Sequence, residues 1–393
     1  MLTSLALIFL LGLLLGSIFN KLKLPKLLGM IFTGIILGPH VLNLLDDSII
    51  RISADLRQLA LVIILTRAGL SLDITDLKKV GRPAILMCFV PACFEIIGVM
   101  LFAPKILDVT LLEAAIIGAV IAAVSPAVIV PRMIKIMEEG YGREKSIPQL
   151  ILAGASVDDV FVIVLFTALT GLASGESISG FSLLQIPISI VMGILVGIIC
   201  AYLLVQFFKN IHIRDSIKII IVLSISFLLI ELEHRLSGII PLSGLLAIMS
   251  MGIFIKQKYS ILANRLSVKY NKLWIAAELI LFVLVGATVD LSYALLMGVS
   301  AIIVVIVALI VRMIGVFVCM LKTKLNMKER LFCMIAYTPK ATVQAAIGGI
   351  PLAMGLACGQ KVLTVAVLSI LITAPLGAFL VDKMYKQLLD KNK

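Results

Sequence analysis

The chain has 393 residues, 61% of them hydrophobic and 14% charged, with a formal net charge of +12 at pH 7. That balance excludes a soluble globular domain and leaves a multi-pass membrane protein. The positive charge sits in short gaps between apolar runs, which points to membrane orientation and away from nucleic acid as a partner.

Thirteen hydrophobic segments follow in chain order, at 1–19, 27–42, 58–72, 83–103, 111–134, 149–170, 183–208, 216–233, 239–255, 274–290, 292–321, 330–357 and 360–382. They cluster around the roughly 20 residues a helix needs to cross a bilayer. Residues 1–16 have no basic leader and no small-residue cleavage site, so the first segment reads as a retained helix rather than a signal peptide. Of the 34 Lys and Arg residues, 26 fall in or at the borders of the gaps after odd-numbered segments and the tail. Five fall in the other gaps, and Arg67, Arg312 and Lys340 lie within segments. By the positive-inside rule the expected topology has the N-terminus outside, the C-terminus in the cytoplasm and thirteen crossings of the cell membrane. The gaps are too short for a soluble domain, and no Gly-Lys dipeptide builds a phosphate-binding loop, so ATP is not an expected partner. Cys88, Cys93, Cys200, Cys319, Cys333 and Cys358 lack CxxC spacing and read as small hydrophobes; no cofactor is implied.

The fifth segment contains Ser125-Pro126 and then Pro131; the twelfth contains Thr338-Pro339 and then Pro351. Proline removes a helical hydrogen bond and leaves backbone groups that hydrocarbon cannot satisfy. Segments seven apart run in opposite directions, and a pair of interrupted helices in inverted halves is the sequence pointer to a transporter's midplane site.

Five ionisable residues lie near segment middles: Glu95, Asp158, Asp159, Arg312 and Lys340. Buried charges require partners, so three acids and two bases leave one carboxylate for a mobile cation. Adjacent helical residues point about 100° apart, so Asp158 and Asp159 do different work. The expected pairs are Asp158 with Lys340 and Glu95 with Arg312, leaving Asp159 for the ion. Na⁺ or Li⁺ takes oxygen ligands, and Ser125, Ser156 and the carbonyls around Val124 and Ser125 are the local supply. Competition between that cation and a proton for Asp159 suffices for antiport. Arg67 reads as a structural or snorkelling cation, and Asp73, Glu113, Glu231, Glu233 and Asp290 as caps near segment ends.

The strings AAVSPAVIVP, ASVDD and TPKATVQAA resemble the two-aspartate branch of the cation/proton antiporter superfamily, most of all its NHA-type sodium/proton exchangers. The likeness extends to GMIFTGIILGPH, LTRAGLSLD and PLSGLLAIMSMGI. It implies an all-α membrane protein of about 13 helices, with inverted repeats and two discontinuous crossing helices, as in the NhaA and NapA type of fold. It further implies a homodimer in lipid, working by an elevator-like motion. Residues 1–73 and 216–290 would form the dimerisation scaffold, 183–208 a linker helix, and 83–170 with 292–393 the ion-transporting core. Asp159 would be the essential ion carboxylate and Asp158 its partner. The bacterial members commonly carry a lysine where this chain has Arg312, which does not deprotonate at physiological pH. The alternatives are a potassium/proton antiporter or cation channel of the same superfamily, and an intramembrane aspartyl protease, for which no Gly-x-Gly-Asp string exists.

Overall fold

A computed structural model describes residues 1–72, 81–173, 180–236 and 242–391. These residues are helical apart from turns and one isolated bridge between Tyr141 and Lys391. In chain order the helices are α1 (Leu2–Lys21), α2 (Lys26–Leu37), α3 (Asp47–Arg51), α4 (Ser53–Ser71), α5 (Arg82–Met87), α6 (Val90–Leu107), α7 (Leu111–Ile121), α8 (Pro126–Glu138) and α9 (Ile147–Ala173). They continue as α10 (Gly180–Asn210), α11 (Asp215–Leu236), α12 (Gly244–Lys258), α13 (Ser260–Ala287), α14 (Leu291–Cys319), α15 (Met327–Ala336), α16 (Thr342–Ile347), α17 (Ile350–Ala353) and α18 (Gly359–Leu388). Among the described residues, eight stretches are long and apolar enough to cross a membrane.

Each hydrophobic segment carries a helix, with three departures in detail. The gap expected at 256–273 is largely helical, because α13 begins at Ser260; its polar first turns are tied down by Arg265 to Asp215 at 3.2 Å and Lys256 to Asn264 at 2.6 Å. The fourth segment breaks after Met87, where Pro91 opens a new helix. Pro131 does not break α8: it lies inside the helix, and the Arg132 guanidinium folds back onto the Val128 carbonyl at 2.7 Å. Asp73 falls outside the described residues. Glu113 closes a capping box with Thr110, and Asp290 caps α14 through the Ser292 and Tyr293 amides.

The chain forms two compact units, one of Met1–Ala54, Thr75–Leu169 and Leu281–Lys393, the other of Asp55–Ile74 and Thr170–Ile280. In the second, α4 lies backbone-close to α12 at Gly69 and Gly252, and α10 lies close to α12 at Gly193 and Gly197. In the first, α2 meets the end of α13 where Gly34 faces the Val283 carbonyl and Gly286 faces the Ile31 carbonyl, with no room for a methyl group at either. The same device aligns α6 with α14: Gly98 packs on Val311, and Gly315 on Phe94 and Pro91. Their antiparallel register puts Glu95 and Arg312, each three residues from its glycine, side by side. At Gly377, α18 makes room for Thr338 and Pro339.

The end of α8 remote from Pro126 is held by α18. Arg132 pairs with Asp382 at 3.2 Å, the Tyr385 hydroxyl donates to Glu139 at 2.6 Å, and the Gly142 amide donates to the Asp390 carbonyl at 2.9 Å. Leu389 is buried among Ile147, Leu150 and Phe332.

Two predictions follow from this packing. Gly34→Ala and Gly286→Ala place a methyl group against backbone and are expected to destabilise by about 1–3 kcal/mol, read as a lower melting temperature. Gly298→Ala, with open space around it, is expected to leave the melting temperature unchanged or raise it. Second, the Tyr385 hydroxyl, then Lys386 and Lys135, hold the Glu139 carboxyl below its ordinary range. A lowered carboxyl pKa stabilises the fold above the unfolded value, and that contribution fades as pH falls through the lowered one. Tyr385→Phe is therefore expected to lower the melting temperature at pH 7 and to have progressively less effect on acidification through the carboxylate range.

Candidate functional site

The fifth segment is helical to Ile121, non-helical over 122–125 and helical again from Pro126. The twelfth is helical to Ala336, non-helical over 337–341 and helical again from Thr342. The two breaks touch: the Ser125 amide donates to the Pro339 carbonyl at 2.8 Å. A helix that stops inside hydrocarbon leaves carbonyls without partners. Here three successive ones, Ile121, Ala122 and Ala123, are each met by a side chain, from Lys340, Arg312 and Gln344 respectively, with Gln344 Nε2 at 2.8 Å from Ala123. The Lys340 amide is accepted by the Thr373 hydroxyl at 3.0 Å. The Thr338 hydroxyl donates to the Ile335 carbonyl at 2.8 Å, closing the last turn of α15.

The charges form a chain of alternating sign. Lys340 Nζ lies 2.7 and 2.8 Å from the two oxygens of Glu95. Arg312 Nη1 lies 2.9 Å from Glu95 Oε2, and its Nη2 lies 2.8 Å from Asp158 Oδ2. Arg312 Nε donates to the Tyr337 carbonyl at 2.9 Å, and Asp158 Oδ2 also accepts the Val124 amide at 2.9 Å. All four ionisable side chains are 0% exposed. The Glu95–Arg312 contact is present as expected, but Asp158 is held by Arg312 and not by Lys340. The guanidinium fork is the reason. Its rigid array of donors serves carboxylates on two helices at once, while the compact ammonium sits between both oxygens of one.

Asp159 stands apart from this chain. It is half-buried, forms no ion pair among the described residues, and its Oδ1 is buried with no hydrogen-bond partner among them. Ser125 Oγ is also buried and without a partner there. The Ser125 carbonyl, expected as a ligand, is instead taken by the Val128 and Ile129 amides at 3.2 Å each, as a helix start requires. The side chain of Ser156 lies outside the described residues. Pro126 occupies the first turn of α8, where a missing amide proton is tolerated.

Three further polar residues line the breaks that the charge pattern did not single out. The Tyr337 hydroxyl, Thr342 Oγ1 and Gln344 Oε1 are buried without hydrogen-bond partners among the described residues. The orientation of Gln344 is determined, since its amide nitrogen must face the Ala123 and Ile121 carbonyls. The signal for Gln344 was its place in the TPKATVQAA string. Thr342 lies in the same string, whereas Tyr337 precedes it, carries no charge and resembles an ordinary membrane-helix residue.

Rich in oxygen and built where two helix breaks touch, this geometry can hold a hard cation. Residues 5–383 match the model of the family "Sodium/hydrogen exchanger, transmembrane". The chain belongs to the sodium/hydrogen exchanger family. Within it, the chain is 32% identical over 385 residues to human sodium/hydrogen exchanger 9B2, covering 94% of this chain and 70% of the relative. It is 31% identical to human sodium/hydrogen exchanger 9B1, covering 94% and 73%. The fold is that of the sodium proton antiporter MjNhaP1 from Methanocaldococcus jannaschii at pH 8, with a TM-score of 0.86 at 20% identity over 98% of each chain.

Removing one member of a buried ion pair leaves an uncompensated charge, at about 3–5 kcal/mol. Arg312→Ala takes from Asp158 its one ion-pair partner among the described residues and from Glu95 one of its two, and is expected to lower the melting temperature more than Asp158→Asn, which leaves Glu95 with both of its cations. Equal melting temperatures for the two variants would contradict the bridging role of Arg312.

Proposed function

We propose that the protein is a secondary active antiporter exchanging Na⁺ or Li⁺ for H⁺, with both competing for Asp159. The observation that carries this reading is the asymmetry of the acid pair. Asp158 is fixed by Arg312 and the Val124 amide, while Asp159, its neighbour on α9, keeps a buried oxygen without a partner among the described residues. Asp159 supplies the carboxylate, with Asp158 Oδ1, Ser125 Oγ, Ser156 and the Val124 carbonyl as further oxygens toward the cation. Glu95, Arg312 and Lys340 compensate charge and hold the breaks.

Stoichiometry follows from the charge sum. Lys340, Glu95, Arg312 and Asp158 cancel, so Asp159 with one monovalent cation or one proton gives a neutral centre in either loaded form. Arg312 keeps its proton, and Lys340 is held between both oxygens of Glu95 and the Ile121 carbonyl. These contacts support one-for-one, electroneutral exchange, the alternative being that Lys340 gives up a proton in the cycle. The wider reading has thirteen crossings with the N-terminus outside and the C-terminus in the cytoplasm. In it a homodimer in the cell membrane uses 1–73 and 216–290 as scaffold and 183–208 as linker. The core, 83–170 and 292–393, moves as an elevator, and lipid is the surrounding partner.

The test is purified protein in liposomes carrying an imposed pH gradient. Na⁺ or Li⁺ is expected to collapse the gradient at a rate unchanged when the membrane potential is clamped, and Asp159→Asn is expected to abolish the response. Collapse by K⁺ alone refutes the cation assignment, and an Asp159→Asn variant as active as wild type refutes the site.

A further inference from the structure

The Tyr337 hydroxyl has no part in the fold as described. The residue's carbonyl accepts Arg312 Nε at 2.9 Å and its ring lies 5.5 Å from the guanidinium carbon, contacts that phenylalanine would make equally well. The hydroxyl itself is 0% exposed by residue and has no hydrogen-bond partner among the described residues, a desolvation cost that phenylalanine would avoid. The neighbouring helix is shaped around it. At Gly154 of α9 a methyl group would collide with the Tyr337 hydroxyl, so the bare backbone is what admits the oxygen.

Gly154 and Asp158 are four residues apart on one face of α9, one helical turn, or about 6 Å of rise. Helical side chains lean toward the N-terminus, which brings the Asp158 carboxylate back over Gly154. Its Oδ2 is occupied by Arg312 and the Val124 amide, and its Oδ1 is buried without a partner among the described residues. A donor without an acceptor and an acceptor without a donor thus share one helix face, with no direct bond between them. One water, which needs two or more polar partners, fits that pairing.

We propose that Tyr337 is a positioning residue for the cation site: its hydroxyl donates, through one water, to Asp158 Oδ1 and keeps that carboxylate ionised and aimed while Asp159 exchanges its cargo. This rests on the Na⁺/H⁺ reading above and adds to it a neutral residue on the partner acid. Loss of the hydroxyl loosens Asp158 and weakens cation binding, without touching the Arg312 and Val124 bonds that order the breaks.

The experiment is Tyr337→Phe in liposomes, with the Na⁺ dependence of proton flux and the melting temperature of the purified protein measured against wild type. The expected result is a rise in KM for Na⁺ of about five- to tenfold, within the range of one lost ordinary hydrogen bond. Maximal rate should stay within twofold and the melting temperature should be unchanged or higher. KM and maximal rate both matching wild type overturn the proposal. So does a lower maximal rate at unchanged KM, and so does a variant that fails to fold, since the hydroxyl would then be structural. A wild-type protein with no Na⁺-dependent proton flux refutes the underlying functional reading instead, so the two failures are distinguishable.

Discussion

Everything at the centre of this protein depends on pairing charges that water does not reach. Desolvating one carboxylate or ammonium costs several kcal/mol, and only close, well-bonded partners offset it. The row Lys340–Glu95–Arg312–Asp158 meets that requirement with contacts of 2.7–2.9 Å. It also meets a second requirement imposed by proline. The carbonyls exposed where α7 stops are answered by Lys340 and Arg312, members of the same row, together with Gln344. One set of side chains therefore neutralises the acids and completes the interrupted backbone. That double use explains why two cations belong in the middle of an apolar chain, and why the fifth ionisable residue, Asp159, remains outside the row.

The site is assembled from distant pieces by small residues. Gly98 and Gly315 let α6 and α14 approach until Glu95 meets Arg312, Gly377 admits the Thr338-Pro339 break, and Gly154 admits Tyr337. These positions carry no chemistry, yet each decides whether a chemical group arrives. The non-helical segments at 122–125 and 337–341 are in turn fixed to one another by the Ser125–Pro339 bond. Order at the centre is therefore a property of packing as much as of charge.

The breaks and the five ionisable residues were legible in the sequence because each violates a local rule, proline in a helix or charge in hydrocarbon. The pairing was less so. Asp158 was matched with Lys340 on the strength of proximity to a break, but sequence carries no distances, and the reach of a guanidinium fork across two helices is seen only when the helices are placed. Pro131, five residues after Pro126, lies inside α8 without interrupting it, and the Arg132 side chain folds onto the helix there. The polar opening turns of α13 read as a loop because their stabilising partners, Asp215 among them, lie far away in the chain. Thr342 and Gln344 are marked only by their place in TPKATVQAA and Tyr337 not at all, because a neutral polar side chain is unexceptional in a membrane helix until its hydrogen bonds are counted.

The glycine contacts of α6 and α14 have a consequence for how damage at this centre would present itself. Gly98 faces Val311 and Gly315 faces Phe94, while Glu95 and Arg312 lie within one turn of them on the same seam. A single added carbon at either glycine would wedge the seam apart and stretch an ion pair it never touches. Steric injury at these two positions would therefore surface as an electrical phenotype, with a disturbed ion pair and a lesion three residues away from it.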